Sequence, residues 1–173
     1  MNSVLFFIGY MGAGKTYTVQ RMAASCGKGF VDLDAAIEEE ERATIPDLFR
    51  ERGEEVFRII EQQVLHRLVE NEHVQLVACG GGTPCIAGMM NWMKSHGHVV
   101  HLNPSFDSIK KRLFEADEMH MRPLLLNPDG MLKTIEQIEQ HWESRNACYS
   151  GADEVLASVP TEQDFRRWNG RLI

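Results

Sequence analysis

A chain of 173 residues, 43% of them hydrophobic, is sized for one domain whose core needs neither disulfides nor a structural metal. Its net charge of −7 argues against nucleic acid as the main partner, because a phosphate backbone selects a basic face. Cys26, Cys79, Cys85 and Cys148 form no C-x-x-C pair and read as free thiols in a reducing compartment; with no apolar stretch of membrane-spanning length and no room for a signal peptide before the first strand, a cytoplasmic location is expected.

The apolar run Val4–Ile8 predicts a buried strand, and Gly9-Tyr10-Met11-Gly12-Ala13-Gly14-Lys15-Thr16 follows it as G-x-x-x-x-G-K-T. A strand, a glycine-rich turn and a helix over Lys15–Cys26 is the arrangement a phosphate-binding loop requires, since the helix N-terminal amides then point at the phosphates. Lys15 is placed to reach the β- and γ-phosphates and the Thr16 hydroxyl to hold Mg²⁺. A nucleoside triphosphate is the expected ligand.

A short second strand covers Phe30–Asp32, then a helix from Asp34 to about Arg42, a second over Ile45–Arg52 broken at Gly53, and a third from Glu54 to Asn71. Val74–Cys79 is a strand closing on Gly80-Gly81-Gly82; Ile86–Ser95 is helical; His98–Leu102 is the fourth strand; a helix runs from Ser105 to about Phe114. Glu115–Asn127 has weak periodicity, Gly130–Tyr149 reads as a helix, Glu154–Ala157 as a fifth strand and Glu162–Trp168 as a closing helix. Strands alternating with helices imply a parallel sheet covered on both faces. His96, His98 and His101 are not read as a metal site, because His101 ends a strand.

The D-x-x-G and N-K-x-D patterns of switch GTPases are absent, and neither the third nor the fourth strand ends in a metal-binding Asp. The carboxylates available near Mg²⁺ are Asp32 and Asp34. Strand alternation would set them on the same side, one for the metal and one for an acceptor hydroxyl; Asp34 also suits the N-cap of the helix it begins. Gly80–Gly82 closes its strand at the same sheet edge and would let a ligand approach the main chain. Arg58, one turn before Glu61, reads on its own as a surface salt bridge more often than as a ligand, and Arg122-Pro123-Leu124-Leu125 suits a lid closing on the phosphates.

Taken together, these residues resemble the shikimate kinase family almost end to end: Gly9–Thr16, Asp32-Leu33-Asp34, Gly53-Glu54-Glu55-Val56-Phe57-Arg58 with Glu61, Gly80–Gly82, Arg122–Leu125, and Arg145 followed by Tyr149. The resemblance implies a three-layer α/β P-loop fold with strand order 2-3-1-4-5, a substrate-binding helical segment about 34–61 and a lid about 114–127. It implies phosphoryl transfer from ATP to the 3-hydroxyl of shikimate by a monomer. Lys15, Asp32, Asp34 and Arg122 would be catalytic, with Gly12, Ala13, Gly14, Lys15, Thr16, Tyr17 and Arg122 on ATP. Asp34, Arg58, Gly80, Gly81, Gly82 and Arg145 would hold shikimate, and Thr16 and Asp32 the Mg²⁺. A gluconate-type polyol kinase and a catalytically inert nucleotide-binding regulator are the alternatives. The chain departs from the family pattern at Tyr17, before Tyr149, and around Val159-Pro160-Thr161, where no adenine contact is assigned.

Overall fold

Five parallel strands form one sheet in the order β2-β3-β1-β4-β5, as expected: β1 (Val4–Ile8), β2 (Val31–Asp32), β3 (Leu76–Ala78), β4 (Gly97–Leu102) and β5 (Glu154–Leu156). The structure, a computed structural model, describes residues 4–70, 74–115, 123–127 and 129–172. Arg122 and half of the expected lid lie outside the described residues.

The central strand shows why the fold holds. All five residues of β1 are buried, and they alternate between two cores. Leu5 and Phe7 pack with Val19, Met22, Phe165 and Trp168 of α1 (Lys15–Cys26) and α7 (Glu162–Asn169). Val4, Phe6 and Ile8 pack with α2 (Leu33–Glu41), α3 (Ile45–Glu70) and α4 (Met89–His96), through Leu33, Ile37, Leu65 and Met93. Each such side chain contributes roughly 1.5–3 kcal/mol by leaving water, so β1 is the part of the sheet least able to move. A third cluster joins Tyr10 of the glycine-rich turn to Ile109 and Leu113 of α5 (Phe106–Glu115) and Ile138 of α6 (Ile135–Tyr149). Among the described residues no helix is long and apolar enough to cross a membrane.

Three expectations need correction. The helix over Gly130–Tyr149 begins only at Ile135: Gly130 takes φ +80° in a turn, and a capping box between Thr134 and Gln137 starts α6. The helix expected over Ile86–Ser95 is α4, which begins only at Met89, entered through Gly88 at φ +79° after a 3-10 turn at Thr83–Cys85. The cysteines are not all free. Cys85 and Cys148 form a disulfide with Cα atoms 4.9 Å apart, leaving Cys26 and Cys79 as thiols. The cause is tertiary: the end of α6 docks on the turn after Gly82, where the Tyr149 hydroxyl donates to the Gly81 carbonyl at 2.7 Å. The cysteines therefore give no support for a reducing compartment.

The helix break at Gly53 is where the sequence placed it. The backbone there is at φ +78°, ψ +168°, and the two helical pieces run into one another across it.

Candidate active site

The glycine-rich turn is shaped by contacts that only glycine permits. Gly9 sits at φ +144°, and a Cβ there would lie 2.4 Å from the Leu102 carbonyl oxygen. Gly14, at φ +96°, is the N-cap of α1 and carries no side-chain cap, which leaves the first amides of the helix for an anion. Lys15 Nζ donates to the Gly9 and Tyr10 carbonyls at 3.0 and 3.1 Å, so its charge is held over the loop.

Asp32 joins this loop to the next helix. One carboxylate oxygen accepts from the Thr16 hydroxyl at 2.5 Å; the other accepts from the amides of Asp34 and Ala35 at 3.1 and 3.3 Å. The helix cap is therefore Asp32 and not Asp34, which falls in the first turn of α2. Because β2 ends at Asp32, strand alternation does not relate the two carboxylates. Both nonetheless line the same cavity, one from a strand end and one from a helix start.

Across the cavity, Arg58 is fixed by two acids of its own helix. Its Nη1 donates to Glu61 Oε2 at 2.6 Å and its Nη2 to Glu54 Oε1 at 3.0 Å. Glu61 is fully buried, and its second oxygen accepts from the Thr83 hydroxyl at 2.5 Å. Burial works against the Arg58 charge, but Glu61 and Glu54 outweigh it and hold its pKa above the usual guanidinium range. The salt bridge and the ligand role are thus compatible: the pair with Glu61 aims the guanidinium at the site.

The triple glycine serves by its lack of volume. A Cβ on Gly80 would lie 2.5 Å from Glu61 Oε1 and 2.9 Å from Asp34 Oδ1; one on Gly82 would lie 2.4 Å from Arg58 Nη2. Gly82 has φ −102°, so the demand is for space and not for an unusual backbone.

A cavity of about 540 Å³ gathers these groups. Gly12, Gly14, Lys15, Thr16, Tyr17, Asp32, Asp34, Arg58, Gly80, Gly81 and Gly82 all line it, together with Glu61 and Arg112. Ala13 and Arg145 do not. Ala13 is buried behind the loop, and Arg145 contacts Cys85 Sγ at 3.1 Å and His141 Nε2 at 3.2 Å at the edge of the glycine turn. A second recess of about 210 Å³, sharing Gly14, Tyr17 and Arg112 with the first, is lined also by Ala13, Val159 and Pro160.

Sequence reasoning missed Arg112, whose Nη1 donates to the Gly12 and Ala13 carbonyls at 3.0 and 3.1 Å. It lies in an ordinary amphipathic helix, about a hundred residues from its partners, and no motif marks it. The apposition of Val159 and Pro160 to Gly14 was equally invisible, because that segment departs from the family pattern.

An oxygen-only pair, Thr16 and Asp32, suits a small hard cation, because Mg²⁺ takes few protein ligands and completes its shell with water and phosphate. A helix N-terminus and lysine on one side of a cavity, with a carboxylate and an arginine opposite, can hold a polyphosphate against an acidic, hydroxylated acceptor.

The shikimate kinase family model matches residues 11–166. A shikimate kinase from Parabacteroides distasonis is 40% identical over 98% of this chain and 96% of its own length. Among solved structures, shikimate kinase from Bacteroides thetaiotaomicron superposes with a TM-score of 0.80 at 33% identity, covering 99% of this chain and 97% of that one. A shikimate kinase from Acinetobacter baumannii in complex with shikimate gives 0.79 at 28% identity, covering 98% and 90%. The chain belongs to the shikimate kinase family and is an ATP-dependent kinase.

Proposed function

We propose that the chain transfers the γ-phosphoryl group of ATP to the 3-hydroxyl of shikimate, giving shikimate 3-phosphate and ADP, as a cytoplasmic monomer. The observation that carries this reading is that Asp34 and Arg58 line the same cavity as the phosphate-binding loop. Asp34 orients the attacking hydroxyl and takes its proton; Arg58 holds the carboxylate of the acceptor, a task that suits a planar guanidinium fork. Arg145 approaches the same carboxylate from the edge of the glycine turn, where its Nη1 already contacts Cys85.

The loop amides and Lys15 bind the β- and γ-phosphates, and the amide of Tyr17 reaches the α-phosphate. Thr16 and Asp32 hold Mg²⁺, which when bound neutralises charge on the phosphates. Arg122 is the lid arginine of this reading. The adenine occupies the second recess, against the Arg112 guanidinium and the apolar Val159 and Pro160.

A coupled ADP-release assay over a panel of hydroxy acids tests the proposal. Turnover with shikimate well above that with gluconate is expected. Equal rates would refute the acceptor, and ATP binding without shikimate-dependent turnover would refute the activity.

A further inference from the structure

Helix α6 presents His141, Arg145 and Tyr149 at a spacing of four residues, on one face. Each reaches a loop of the site. Tyr149 bonds the Gly81 carbonyl and Arg145 contacts Cys85, while His141 Nδ1 lies 2.8 Å from the hydroxyl of Tyr10, in the phosphate-binding loop. Arg145 Nε also points at His141 Nε2, at 3.2 Å.

The donor inventory fixes the state of the ring. A guanidinium has no acceptor, so His141 Nε2 must offer its lone pair to Arg145. The single ring proton then sits on Nδ1 and is donated to the Tyr10 oxygen. A second proton would set N–H against N–H and break the contact.

We propose that His141 is a positioning residue: as a neutral imidazole protonated on Nδ1, it fixes the guanidinium of Arg145 and couples it to Tyr10 on the ATP side of the site. The inference rests on the reading of Arg145 as a carboxylate contact. Two of the five guanidinium N–H groups are occupied, by His141 and by Cys85, and this sets the plane of the fork before any acceptor arrives. Burial and the charges of Arg145 and Lys133 outweigh Glu54 and push His141 down to about pKa 4, which keeps the ring neutral in the working range. The connection spans 131 residues of sequence between Tyr10 and His141 and runs from the donor loop to the acceptor arginine.

Nitrogen-15 NMR of the full, unmodified chain between pH 6 and 8 should show the His141 ring protonated at Nδ1 and bare at Nε2. His141→Ala should raise the shikimate KM roughly tenfold, the worth of one hydrogen bond to a charged group, and shift the ATP KM and kcat far less. His141→Gln, which can return an acceptor to the place of Nε2, should recover most of that loss. His141→Asn, whose amide ends near the place of Nδ1, should not. Tyr10→Phe should raise the shikimate KM less than His141→Ala and add nothing on top of it.

An Nε2-protonated ring overturns the proposal even if every variant fails to fold. So does an unchanged shikimate KM in His141→Ala while Arg145→Ala raises it. If Arg145→Ala itself leaves the shikimate KM unchanged, the carboxylate role falls first and the positioning role with it.

Discussion

Replacing Gly82 by alanine isolates the placement of Arg58 from its charge. The alanine Cβ would stand 2.4–2.6 Å from three guanidinium atoms, whereas ordinary contact begins at 3.4 Å. The backbone, at φ −102° and ψ −9°, accepts alanine, so relief must come from Arg58 retreating by about 1 Å. A retreat of that size disturbs the bonds of 2.6 Å to Glu61 and 3.0 Å to Glu54. One charge-assisted hydrogen bond is worth about 1.5–3 kcal/mol, and a 1 Å misplacement costs up to about a hundredfold in rate. Gly82→Ala should therefore raise the shikimate KM ten- to hundredfold, leave the ATP KM nearly unchanged, and lower Tm by only a few degrees because the displaced atoms end a flexible side chain. Initial-rate kinetics with each substrate varied in turn, alongside thermal unfolding, read all three. An unaltered shikimate KM, or an equal rise for both substrates, would refute Arg58 as the aimed carboxylate ligand.

Gly80→Ala should behave differently, since Glu61 is held at both oxygens and cannot step aside: about 1–3 kcal/mol of stability should be lost in denaturant unfolding, together with turnover. Asp34→Asn should lower kcat by about two orders of magnitude with ATP affinity intact by calorimetry; wild-type turnover would remove Asp34 from the chemistry. Thiol titration of the denatured, unreduced protein should find two thiols, Cys26 and Cys79, and four after reduction; reduction should cost up to about 4 kcal/mol, given the 63 residues between the bridged positions. His101 and His141 are both pushed down to about 4, chiefly by burial, so the unfolded chain binds protons that the folded one refuses. Stability should be full above pH 6.5 and fall by a few kcal/mol in total as pH drops towards 4, measured by urea unfolding across that range. A flat profile would mean both rings titrate normally.

The parts of the site legible in sequence were those whose chemistry is local. Gly9–Thr16 declares itself because the loop, the helix start and the lysine are adjacent, and the unbroken apolar run of β1 gives its two-sided burial. The break at Gly53 and the Arg58–Glu61 pair are likewise contacts within one helix. What failed to show was long-range: Arg112 on the loop carbonyls, Tyr10 against His141, and Cys85 against Cys148 each join segments tens of residues apart. The start of α6 at Ile135 is local too, since Thr134 and Gln137 spell a capping box in the sequence. Asp32 takes the cap in place of Asp34 because α2 starts at Leu33, one residue before the first polar residue that marks its start in the sequence.

Asp32 gives one oxygen to the Thr16 hydroxyl and the other to the amides of Asp34 and Ala35. A single carboxylate thus serves as the bolt between the hinge-plates of two half-sites. Rotation of α2 cannot carry Asp34 away from the donor loop without shearing a bond at Thr16, and displacement of Thr16 tugs the start of α2. The spacing between the phosphate-binding loop and Asp34 is therefore a property of the folded chain, inherited at folding, and any ligand meets a gauge already set.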